Sequence, residues 1–269
     1  MQRKQLYLAI ELQPEVICRL EKMNQEIHLD QFMPFIQRLT NPATAAEAYS
    51  ALKELTEPDP ANFLMLYCQM EAARHTADRY QEMGIDQHIF IDTMKCFPRF
   101  LNECKARTGR LYFDRGWWTY RQISMTLFRI GQLEYERSVL NGENVIKLHI
   151  PSDADLSPEK VSESLRQATA FFHMVYPDFV FSQFACNSWL LSPALKPFLS
   201  QDSHILNFQK RFTLLSQNSE NREFIQWLFQ MPEDTEPVNL PEKTSLQRGV
   251  KALLLSGGNV GNAYGVICI

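Results

Sequence analysis

The side chains best suited to chemistry cluster around one dipeptide. Asn141-Gly142 separates two stretches of alternating apolar and polar residues, 127–140 and 143–150. Asn-Gly between such runs predicts a two-residue hairpin turn, because a type I′ turn needs positive φ at both central positions. The register follows. Glu134 faces His149 and Glu136 faces Lys147 on one face, while Leu133, Tyr135, Leu148 and Ile150 share the other. Opposed Cβ atoms in such a ladder lie ~4.5–5.5 Å apart. A carboxylate beside an imidazole fixes its tautomer and favours the imidazolium, as general-base catalysis requires. His149 is then the base and Glu134 the group that holds it; the alternative is a solvated face with two favourable cross-strand pairs.

Further candidates follow along the chain. Cys186, Asn187 and Ser188 lie in an apolar stretch, 179–190, that predicts a central strand. The Cys or Ser could act as nucleophile or orient a substrate; both also suit a core, as a small apolar residue and a hydrogen-bonded hydroxyl. Arg211 falls within 204–215, where Leu206, Phe208, Phe212 and Leu214 alternate with Asn207, Gln209 and Thr213. That alternation predicts a strand whose polar face presents Arg211 to a carboxylate or phosphate, or to an internal ion pair. Trp117 and Trp118 open a short helix, where they could stack on a ligand or anchor the core.

The elements that must position these residues change in character near Thr108-Gly109. Residues 1–108 read as an all-helical domain punctuated by proline, with no competing strand signal. Pro14 opens one helix, Asn41-Pro42 another, and Asp86 caps a third that carries Pro98 inside it, which predicts a kink or break. Residues 109–269 alternate strands and helices. Ser157-Pro158-Glu159 is a helix start, with an N-cap, proline at the first position and an acid in the first turn. A helix over 245–255 and a strand over 264–269 close the chain. The fold class is α+β, with both antiparallel and crossover connections in the second part.

Five segments carry a family likeness: Asp114-Arg115-Gly116-Trp117-Trp118, Leu148-His149-Ile150-Pro151-Ser152, Cys186-Asn187-Ser188-Trp189-Leu190-Leu191, Asn207-Phe208-Gln209-Lys210-Arg211-Phe212 and Thr244-Ser245-Leu246-Gln247-Arg248. Through them residues 110–258 resemble GNAT-like acyltransferases. The chain looks most like a bacterial group with a helical N-acyltransferase N-terminal domain and a GNAT-like C-terminal domain. The resemblance implies a mixed sheet, a helix whose N-terminus cradles the pyrophosphate of coenzyme A, and a strand splayed from the hairpin. It further implies acyl-CoA as co-substrate and an amine as acceptor. The chain departs from the family's glycine-rich phosphate loop. Residues 150–158 contain no glycine and two aspartates, Asp153 and Asp155, and Pro158 removes one backbone donor. That departure supports the alternative, a catalytically inactive small-molecule-binding or interaction protein on the same fold.

Composition sets the outer limits. The 269 residues are 45% hydrophobic and carry a net charge of −4, which offers no general attraction to nucleic acid or to acidic membranes. No stretch approaches the ~20 apolar residues of a membrane span, and the N-terminal apolar run stops at Glu11, too short for a secretory signal. The six cysteines form no CxxC pair, and no His/Cys cluster has zinc-finger spacing. Free buried thiols in the cytoplasm, a small-molecule substrate, no metal, and a monomer or homodimer are the resulting expectations.

Overall fold

The computed structural model describes residues 1–269 and divides into two compact units, Met1–Ile130 and Gly131–Ile269. The first holds eight helices: α1 (Arg3–Ala9), α2 (Pro14–Glu26), α3 (Met33–Leu39), α4 (Ala45–Thr56), α5 (Phe63–Glu82), α6 (Gln87–Met94), α7 (Cys96–Thr108) and α8 (Gly116–Ile123). A short strand, β1 (Leu127–Ile130), ends it. The long α5 is the centre of this unit. Met65, Leu66, Cys68, Met70, Ala72 and Ala73 are all buried, and α1, α2, α3, α4 and α8 pack against it. Because α8 rests on α4 and α5, and β1 on α6, residues 109–130 belong by contact to the helical unit.

Local chemistry accounts for the helix ends. Pro14 sits at the start of α2, and Asp86 caps α6 by accepting the His88 N–H at 2.9 Å. Pro98 does not kink a continuous helix. The chain breaks at Lys95, and Pro98 falls in the first turn of α7, where its missing N–H has no intrahelical partner to lose. The helix expected from Asn41-Pro42 begins later, at Ala45. Asn41 Oδ1 instead accepts the Ala43 N–H at 3.0 Å in a side-chain turn ahead of α4.

The second unit contains β2 (Leu133–Leu140), β3 (Glu143–His149), α9 (Pro158–Val175), β4 (Gln183–Ser188), α10 (His204–Gln209), β5 (Thr213–Asn218), α11 (Ser245–Leu255) and β6 (Asn262–Cys268). Its strands lie in the order β2-β3-β4-β6-β5. All neighbours are antiparallel except β3 and β4, which run parallel because α9 crosses between them. Asn141 (φ 51°) and Gly142 (φ 85°) form the hairpin turn in the left-handed conformations the dipeptide favours. The single strand expected over 127–140 is interrupted at Gly131, whose φ of 62° turns the chain between β1 and β2.

Residues 204–215 differ from expectation. They form α10, a short turn through Arg211, and only then β5, in which Leu215 and Gln217 are exposed. Phe208 and Phe212 share the helical spacing of four as well as the spacing of two. Their rings meet at 5.0 Å centroid distance, and both are buried. The central strand is also shorter than 179–190. Ser188 ends it by accepting the Leu190 N–H at 3.2 Å, which starts a 3₁₀ turn. A second core lies under α11, where Leu195, Phe224, Ile225, Phe229, Val250 and Leu254 pack together. No helix is long and apolar enough to cross a membrane.

Candidate active site

The hairpin has one covered face and one polar face. Tyr135 is fully buried, and its hydroxyl meets Ser164 Oγ of α9 at 2.8 Å, so α9 covers the side that also carries Leu133 and Leu148. The register pairs Glu134 with His149 and Glu136 with Lys147, which places these four on the opposite face. There His149 Nε2 lies 3.0 Å from Glu136 Oε2, with the imidazole 25% and the carboxylate 16% exposed. Glu134 is 2% exposed and Lys147 is exposed.

Beyond the hairpin the ladder between β3 and β4 is short. β3 and β4 pair at Ile146↔Phe184 and Lys147↔Ala185, yet β3 runs on to His149 and β4 to Ser188. Beyond those two pairs each strand carries backbone groups that this ladder does not use. Continuing the register would set His149 opposite Asn187. The two residues therefore lie past the end of the ladder, one on each strand, and on the same face of the sheet. Asn187 is exposed, and its partner on β6 is Tyr264. Burial raises the Tyr264 phenol, so it keeps its proton at neutral pH.

Cys186 points the other way. It alternates with Asn187, lies on the α9 side with Phe184, and burial pushes its thiol up to about 12. A thiol that keeps its proton is not a nucleophile at neutral pH, so Cys186 is a core residue here. Ser188 is occupied as the cap that ends β4.

The first turn of α9 adds a charged rim to the same unit. Asp155 Oδ1 accepts the Ser157 N–H at 2.9 Å, and Oδ2 meets Lys160 Nζ at 2.7 Å. The hydrogen bond from Lys160, then those from Ser157, hold the Asp155 carboxyl down to about 2. Arg211 is not on a strand face. It reaches from the turn after α10 to donate through Nη2 to the Pro158 carbonyl at 2.7 Å and to Ser162 Oγ at 2.8 Å. A guanidinium thus lies on the N-terminal turn of α9, and Lys160 offsets one of the two aspartates of the preceding loop.

Trp117 and Trp118 belong to the first unit. Their rings meet edge-on at 5.6 Å, and Trp117 is 45% exposed. Arg121 stacks 4.3 Å from the Trp118 centroid. Gln69 Nε2 donates to the Gly116 carbonyl at 2.9 Å and locks the start of their helix. The same unit has a cavity of about 490 Å³ lined by Gln5, Asp78, Tyr80, Gln81 and Phe90, none of them a residue singled out from the sequence.

The family described as the GNAT-like C-terminal domain matches residues 107–267, and that described as the N-acyltransferase N-terminal domain matches residues 1–125. No curated protein matches the chain by sequence. Among solved structures, an acyltransferase in complex with decanoyl-CoA is similar at a TM-score of 0.74 and 19% identity, with 100% of each chain covered. An acyltransferase in complex with decanoyl-CoA and teicoplanin is similar at 0.73 and 18%, with 100% of this chain and 99% of that one covered. At such identities the likeness concerns the fold. The family match takes in all six strands and the β3–β4 ladder, and the chain belongs to the family of the GNAT-like C-terminal domain, with an N-acyltransferase N-terminal domain ahead of it.

Proposed function

We propose that this protein transfers an acyl group from an acyl-CoA to an amine acceptor. The observation that carries the reading is the end of β3–β4 pairing at Lys147↔Ala185, with His149 beyond it on β3 and Asn187 beyond it on β4. An extended pantetheine arm can pair with the backbone groups the ladder does not use, as a peptide completes an open sheet edge. The first turn of α9, with Arg211 bonded to it, suits the negative charge of the donor's pyrophosphate. The similar acyltransferases hold decanoyl-CoA in one case and CoA in another, which supports the same donor class here.

In the reaction the acceptor nitrogen attacks the thioester carbonyl carbon. A C–N bond forms, the C–S bond breaks, and CoA leaves as the thiolate. The nitrogen gives up one proton to His149, and the thiolate takes one up, so the products are an amide and CoA. Glu136, on the same face, holds the imidazole through its contact with Nε2. Asn187, exposed on β4, is a hydrogen-bond partner for donor or acceptor.

Binding of the donor is the test. Free CoA and decanoyl-CoA should each raise the melting temperature in a concentration-dependent way, since a ligand of the native state stabilises by mass action. No shift with either at millimolar concentration would overturn the reading and leave a non-catalytic protein on the same fold.

A further inference from the structure

We infer that Glu136 is the positioning residue of His149, orienting the imidazole and fixing it as the Nε2–H tautomer. This assignment of roles rests on the acyl-transfer reading above, whereas the tautomer itself does not. An ionised carboxylate only accepts, and a neutral imidazole has one N–H. With Glu136 Oε2 at 3.0 Å from Nε2, the proton must sit on Nε2, and the lone pair on Nδ1 is turned away from Glu136. Glu136 is not the residue opposite His149 in the ladder. It lies one pair further along, diagonal to His149 on the same face, within reach of a long side chain. Glu134, Lys147 and, at the turn end, Glu143 are the other charged groups the ladder sets on that face. Lys147 is Glu136's partner and is exposed, so water screens its charge more than it screens the half-buried pair.

The bond also orients the ring. Glu136 comes from β2, and the two strands are joined by a two-residue turn and a continuous ladder from Leu140↔Glu143 to Glu134↔His149. A base held from a neighbouring strand in this way stays in one rotamer and one tautomer through the catalytic cycle, in the manner of an orienting carboxylate behind a catalytic histidine.

The experiment is ¹⁵N–¹H correlation of the imidazoles in the full chain at a pH where they are neutral, with the His149 signals identified by their loss in His149→Gln. The expected signature is the Nε2–H tautomer for His149. Glu136→Leu, which removes the acceptor, should return it toward a mixture. Glu136→Gln, which keeps an oxygen acceptor, should restore Nε2–H. In turnover, Glu136→Leu should lower kcat about 10- to 100-fold, within the ~10²–10⁴ that a positioned base supplies, with KM for acyl-CoA unchanged, and Glu136→Gln should recover part of the loss. An Nδ1–H tautomer in the wild type, or a tautomer unmoved in Glu136→Leu, overturns the positioning role. An Nε2–H wild type that transfers no acyl group upholds the orientation and overturns the function instead.

Discussion

Glu136 Oε2 lies 3.0 Å from His149 Nε2, although the strand register sets Glu134, not Glu136, opposite His149. Register fixes which Cβ atoms oppose one another, while a long side chain can lean to the diagonal neighbour. His149 lies two residues past the last β3–β4 pair, Lys147↔Ala185, so the polar face of the hairpin continues past the end of that ladder.

Arg211 should govern donor affinity. Its Nη2 group holds the first turn of α9, and its positive charge is the one brought there from outside the helix. Arg211→Ala should weaken CoA binding about tenfold or more, the ~1.4 kcal/mol or greater expected of a lost charge-assisted contact. Arg211→Lys should recover only part, because an ammonium lacks the planar fork. Isothermal titration with CoA decides, and an unchanged Kd would remove Arg211 from the donor site.

The buried carboxylate of the first unit makes a stability prediction. Glu71, 3% exposed, takes hydrogen bonds from Arg3 at 2.6 Å and Arg74 at 2.7 Å. Burial alone would raise its carboxyl, but the bonds from Arg74 and Arg3 outweigh it and hold it below the usual glutamate range. Glu71→Ala removes the acid shared by two partly exposed arginines and should cost about 1–3 kcal/mol of unfolding free energy. The sign with pH follows from the lowered value. The contribution is full above the ordinary glutamate pKa and is lost as pH falls through the folded one. Acid melts of wild type and Glu71→Gln should therefore converge at low pH; parallel curves would contradict the assignment.

Thiol labelling tests the reading of Cys186. Cys18 and Cys268 are exposed, whereas Cys186 is buried with its thiol near 12. Iodoacetamide under native conditions should modify the two exposed cysteines and spare Cys186, detected by peptide mass. Rapid native alkylation at Cys186 would restore it as a candidate nucleophile.

What could be read from the sequence follows physical rules. The hairpin was legible because Asn141-Gly142 admits few backbone conformations, and its register then followed from Leu133, Tyr135 and Leu148. α9 was legible from Ser157-Pro158-Glu159. α10 was not, because Leu206, Phe208 and Phe212 satisfy a period of two over a window too short to exclude a helix. The i, i+4 spacing of Phe208 and Phe212 was the signal available. Misreading that segment displaced Arg211 from the α9 turn it contacts. The Glu136–His149 bond was hidden for another reason, since pairing arithmetic yields opposed residues and not the lean of their side chains. Tyr264 escaped notice because its link to Asn187 depends on β4 pairing with a strand far along the chain.

In the proposed reaction His149 serves as the base for acyl transfer from a CoA thioester. Release of CoA thiol from decanoyl-CoA, followed by a chromogenic disulfide across a panel of primary amines, tests it most directly when wild type and His149→Ala are compared. Wild type should release thiol in an amine-dependent way, and His149→Ala should lose about 10²-fold or more in kcat. The melting temperature of the variant should correspond to a change within about 1 kcal/mol, as for a partly exposed polar residue. Amine-dependent release that is equal in the two proteins would contradict it.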